Sequence, residues 1–133
     1  MKHKPGDYLS FALNDLEQMD INRLQGFKPL VSTCYHAQQY AEKMMKEGLV
    51  RLKINPPQTH DLTALLKLFP ENSIPEDIFL YASVLNPYMV TARYPTTVRP
   101  SDFSTELAEE AYDFAILIGK WVFSMIDEHP HSE

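Results

Sequence analysis

Proline placement constrains this chain more than any other feature. Ten prolines fall mostly in tight clusters, Pro56-Pro57 and Pro95 to Pro100 among them, and such clusters punctuate helices rather than sit inside them. Only four glycines occur, too few for a hairpin-rich all-β protein. Between the proline clusters, five segments carry apolar residues at three-and-four spacing, the period of one helix face. No useful length alternates with period two, nothing repeats at solenoid spacing and there is no low-complexity tract. The chain reads as all-α.

The first segment runs from about Tyr8 to Leu24, with Asp7 as its expected N-cap and Gly26 ending it; Leu9, Ala12, Leu16, Met19 and Arg23/Leu24 follow one face. The second, Leu30 to Leu52, has an apolar stripe of Cys34, Ala37, Ala41, Met44, Met45, Gly48 and Leu52. Gln38, Glu42 and Lys46 lie on a face expected to be wetter, with Glu42 and Lys46 in the favourable order for an i,i+4 ion pair. A short third helix spans about Thr59 to Phe69 and closes at Pro70. Ser73-Ile74-Pro75-Glu76 has the form of a capping box opening the fourth, which should kink or split at Pro87. The fifth covers about Ser104 to Ile126, with Leu107, Ala111, Phe114, Ile118, Trp121 and Met125 in one stripe. These lengths predict an up-and-down antiparallel bundle of four main helices plus a short extra helix. Tyr112, Ile116, Leu117 and Phe123 add a second apolar flank to the last helix, and predict a homodimer unless that flank simply broadens the core face.

At 133 residues there is room for one domain, residues 1–133, with a core over about 8–126 and a loose C-terminal tail over 127–133. The most apolar stretch, Ile78 to Leu85, is far shorter than the roughly 20 residues of a bilayer-spanning helix, so no membrane span is expected. The N-terminus has no signal-type apolar core, and one cysteine, Cys34, excludes an internal disulfide framework; both point to the cytosol. A net charge of −6 argues against a broad basic surface for duplex DNA, while leaving room for a local basic cleft. Metal binding is not expected, because His129 and His131 sit in the tail and no helical His or carboxylate–His ligand pair occurs. No cofactor is expected either.

Three polar stretches stand out against the apolar background. Tyr35-His36-Ala37-Gln38-Gln39-Tyr40-Ala41-Glu42-Lys43 lies on the second helix, Thr59-His60-Asp61-Leu62 opens the third, and Thr91-Ala92-Arg93-Tyr94-Pro95 ends the fourth. With the opening Tyr8-Leu9-Ser10-Phe11-Ala12-Leu13-Asn14-Asp15-Leu16, their order and spacing resemble the HEPN family over roughly Tyr8 to Ile126. The resemblance implies a helical bundle, usually dimeric, with a polar cleft near the dimer axis. It also implies one of several roles: metal-independent ribonuclease, partner of a small nucleotidyltransferase in a toxin–antitoxin pair, or non-catalytic nucleotide binder. The family's ribonuclease motif, an Arg followed four to six residues later by a His, does not carry over. After Arg93 come Tyr94, Pro95, Thr96, Thr97, Val98 and Arg99, and the next histidine is His129.

That departure matters chemically. Metal-free RNA cleavage needs one group to accept the 2′-hydroxyl proton and another to protonate the leaving oxygen, work that histidine suits and arginine does not. Arg93 therefore points to binding, with no catalytic residue assigned. Arg93 and Lys43 are the candidate phosphate ligands, and His36, Gln39, His60 and Tyr94 the candidate groups that read or stack on a nucleotide or RNA. An atypical ribonuclease using His36 or His60 as base is the alternative. Structural roles stay open for the same residues: His60 bonding back to the second helix, Arg93 meeting a helix C-terminus, Thr59 capping its helix with Asp61 in the first turn, and the row His36, Gln39, Lys43 forming a solvated face.

Overall fold

The computed structural model describes residues 3–94 and 98–128, without the side chain of Glu128. Among these residues the only regular elements are helical: α1 (Asp7–Arg23), α2 (Leu30–Arg51), α3 (Leu62–Leu66), α4 (Glu76–Leu85), α5 (Tyr88–Thr91), a 3-10 turn (Pro100–Asp102) and α6 (Thr105–Glu128). The tail beyond 128 and part of the Pro95–Pro100 loop lie outside the described residues.

Helix α2 is the axis of the bundle. Contacts of Glu47 with the backbone of Gly6, Tyr8 and Leu9 at one end, and of Asn22 with Thr33 at the other, run α1 antiparallel to it. Gly119 lies against Tyr40 and Gly48 against Met125, so α6 runs parallel to α2. The stacked Phe114–Tyr81 rings and the Trp121 indole donating to Ser73 O set α4 antiparallel to α6. This is the expected up-and-down arrangement. Among the described residues, no helix is long and apolar enough to cross a membrane.

Local chemistry explains the element ends. Gly26 (φ 71°) takes the left-handed conformation that lets the chain turn back after α1. Pro87 does split the fourth helix, giving α4 and α5, because its ring nitrogen cannot donate. Three expected caps do not form. Asp7 is the first residue of α1 rather than its cap, and its carboxylate accepts from Lys4 N at 2.7 Å. The third helix starts later than predicted: Asp61, not Thr59, caps it, accepting from Thr63 N and Ala64 N, while Thr59 Oγ1 accepts from Asp61 N. Ser73 donates to Pro70 O instead of capping α4, whose N-cap is Pro75.

Two faces shift from their predicted positions. In α6 the fully buried line is Ala108, Ala111, Ala115, Ile118 and Val122; the larger Leu107, Phe114 and Trp121 sit half-buried at its edges. Small residues at the centre bring α6 close to α2, where Gly119 meets Tyr40. In α1 the buried positions are Ala12, Asp15, Met19 and Asn22, and Leu24 is 84% exposed rather than part of the stripe.

Candidate functional site

The face of α2 expected to be wet is covered. Gln38, Gln39, Glu42, Lys46 and Glu47 are all buried, and among the described residues every buried side-chain nitrogen and oxygen has a hydrogen-bond partner. Burying charge in this way is tolerated only when each group is paired, and three carboxylates organise the pairing.

Asp15 is the first. It reaches from α1 to α2, accepting from Lys43 Nζ at 2.6 Å through Oδ2 and meeting His36 Nδ1 at 2.7 Å through Oδ1. A carboxylate only accepts, so the proton of this contact sits on Nδ1, and in the neutral form of the ring Nε2 is then the acceptor. Glu42 is the second. Its oxygens meet His60 Nδ1 at 3.0 and 3.1 Å and accept from Lys46 Nζ at 3.0 Å, forming the predicted i,i+4 pair in a buried setting. Gln38 Nε2 donates to His60 O at 3.1 Å, and Gln39 Nε2 donates to Gln38 Oε1 at 2.7 Å, so Gln39 joins this group. Glu47 is the third and has no solvent exposure. It accepts from Gly6 N, Tyr8 N, Leu9 N and Arg51 Nε, supplying from α2 the cap that α1 lacks locally.

Arg93 stands apart from these carboxylates. Just beyond α5, its guanidinium lies over the rings of Tyr35 (5.8 Å) and Tyr94 (5.4 Å), and among the described residues no carboxylate pairs with it. Beside it is a cleft of about 320 Å³ lined by Val31, Thr91, Ala92, Tyr94, Val98 and Phe103. Tyr35 also meets the His36 ring edge-on at 5.3 Å. A continuous series of contacts thus leads from Tyr94 through Arg93, Tyr35, His36 and Asp15 to Lys43.

Of the six predicted site residues, Arg93 and Tyr94 occupy the cleft, His36 and Lys43 share Asp15, and His60 and Gln39 belong to the Glu42 group. No recorded contact joins Arg93 directly to Lys43 or His60. The structural alternative for His60 is also met, since it bonds back to α2. Sequence reasoning missed Asp15 and Tyr35. Asp15 was detectable as a carboxylate between Ala12 and Met19 on the inner face of α1; Tyr35 carried no signal beyond being next to His36.

The remaining titratable residues do not enlarge the site. Burial pushes the Cys34 thiol up to about 12, so it behaves as a small core side chain and not as a nucleophile. Among the described residues, no three His, Cys, Asp or Glu side chains gather to hold a metal ion.

Comparison with known proteins agrees with this architecture. The chain is similar to two solved structures over nearly its whole length. TT1696 from Thermus thermophilus is 27% identical, with a TM-score of 0.78 over 90% of this chain and 95% of that one. ST0689, an archaeal HEPN homologue, is 26% identical, with a TM-score of 0.75 over 93% and 98% respectively. A search of curated proteins gives no match. The model of the HEPN domain matches residues 6–126, and the chain belongs to the HEPN family.

Proposed function

We propose that this HEPN domain is a non-catalytic, homodimeric module that binds the phosphate of a nucleotide or of RNA. One observation carries the reading: Arg93 is an exposed guanidinium held between Tyr35 and Tyr94 beside an open cleft, with no carboxylate among the described residues to neutralise it. A guanidinium gives fork-shaped donation to phosphate, and exposed aromatic rings offer a base a stacking surface. Lys43, His36 and His60, each held by a carboxylate, and Gln39, held by Gln38, then act as weaker polar contacts beyond the cleft. Leu117 and Phe123, exposed on α6, provide apolar surface for the second copy. Pairing with a small nucleotidyltransferase in a toxin–antitoxin-type system, in the cytosol, belongs to the same proposal.

Titration calorimetry with ATP, GTP and a short RNA tests it. The wild type should release heat with at least one ligand. Arg93→Ala should weaken that binding by about 10- to 150-fold, the equivalent of one charge-assisted bond worth about 1.5–3 kcal/mol. No heat with any of the three ligands, and no rise in melting temperature in their presence, overturns the reading.

A second reading, a metal-independent ribonuclease with an atypical Arg/His site, is favoured by the Asp15–His36 pair. Its 2.7 Å contact orients the imidazole with Nε2 free to take a proton. RNA cleavage in chelator by the wild type, lost in both His36→Gln and Arg93→Ala, would select it; an inert wild type removes it.

A further inference from the structure

The outer face of α1 plays no part in the site described above. Leu13 (45% exposed), Ile21 (46%) and Leu24 (84%) stand there with half-buried Leu16, lining a shallow groove of about 450 Å³. From residue 13 to residue 24 the groove is about 16 Å long, three turns of helix. Apolar side chains this exposed and this regularly spaced leave a helix ridge without a partner.

The charges along the groove indicate what covers it. Glu17 and Asp20 lie among the apolar residues, and Asp113 acts on the same neighbourhood from α6 through Tyr112. Nearby, Arg23 rests its guanidinium over the Tyr112 ring at 5.7 Å. A second copy packed antiparallel across this face would set Glu17 of each chain against Asp20 of the other, two like-charge contacts at the centre of the interface. A helix with leucines on one side and lysines or arginines along its margins meets the same surface with opposite charge.

We infer that the α1 groove formed by Leu13, Leu16, Ile21 and Leu24 docks a basic amphipathic helix of a different protein. The inference stands independently of ligand binding at Arg93, which lies beyond α5 rather than on α1. Fluorescence anisotropy tests it with a designed helical peptide of roughly 18 residues, leucines on one face and lysines beside them, against a matched peptide carrying glutamates in place of the lysines. The lysine peptide should bind and the glutamate peptide should not. Ile21→Ser, Leu24→Ser and Glu17→Lys should each weaken binding by about tenfold or more. All three side chains are solvent-exposed, and thermal melts establish that the variants fold.

Three results overturn the inference. Neither peptide binds; the lysine peptide binds the wild type and the serine variants equally, which is charge attraction without the groove; or sedimentation shows that the wild type self-associates and the serine variants do not, which gives the face to a second copy. A dimer unaffected by Ile21→Ser and Leu24→Ser leaves the inference standing.

Discussion

Replacing Asp15 by Asn tests whether the α1–α2 seam is held by charge. The substitution keeps shape and volume but removes the negative charge that faces Lys43 Nζ at 2.6 Å and His36 Nδ1 at 2.7 Å. A hydrogen bond to a charged partner contributes about 1.5–3 kcal/mol, and two are weakened here. The Asp15 side chain is 8% exposed, whereas those of Lys43 and His36 are 25% and 27% exposed, so both groups regain part of their hydration once released. The net loss should be about 2–3 kcal/mol, short of the 3–5 kcal/mol typical of breaking a wholly buried pair. For a domain of this size that is a fall of roughly 10 °C in melting temperature. Urea unfolding of the wild type, Asp15→Asn, Lys43→Met and the double variant isolates the pairwise coupling, expected at about 1 kcal/mol or more in favour of the wild-type pair. Strict additivity of the two substitutions refutes the reasoning. In that case the short contact is geometry without energy, and the seam is held by packing alone.

Two further outcomes follow from the core. Gly119→Ala should destabilise by about 1–3 kcal/mol in denaturant melts despite the better helix propensity of alanine, because the new Cβ would overlap the Tyr40 hydroxyl and lie 2.8 Å from its Cε2; adding Tyr40→Phe should recover part of the loss. Alkaline stability should decline in a defined window. Burial raises Cys34 from 9.0 to about 12, while burial and the hydrogen bond to Asp20 raise Tyr112 from 10.0 to about 12. The folded state thus favours the protonated forms, so their stabilisation is complete below pH 9 and is lost as pH rises towards 12. Melts from about pH 8 to 12 should show this slope, and Tyr112→Phe should flatten its upper part.

The comparison between sequence and structure turns on how far each feature depends on neighbours. The break at Pro87 and the helix end near Gly26 follow from the backbone alone, so these were readable in advance, whereas the third helix ends at Leu66, short of the expected Phe69. The capping box at Ser73 was equally readable and did not form, because α4 starts at Glu76 with Pro75 at the N-cap, two residues beyond Ser73, whose hydroxyl donates to Pro70 O. The candidate site was legible as residue types only. Arg93, His36, Lys43 and His60 stood out as chemistry-bearing, yet which carboxylate His36, Lys43 and His60 would meet depended on packing between α1, α2 and the segment before α3.

The sequence by itself determined the helices, their breaks and the all-α class, since these follow from backbone donors, apolar period and proline rings acting within a few residues. Only tertiary structure decided that Gln38, Glu42, Lys46 and Glu47 are buried, because a helix face is wet or dry according to what lies over it. Burial in turn fixed the partners: a charge removed from water must find opposite charge or hydrogen-bond donors, and Asp15, Glu42 and Glu47 found theirs on residues up to 41 positions away. Arg93 was left outside that pairing, over the half-buried Tyr35 and the exposed Tyr94, and no pattern in the linear chain distinguishes a guanidinium so placed from one bound to a carboxylate.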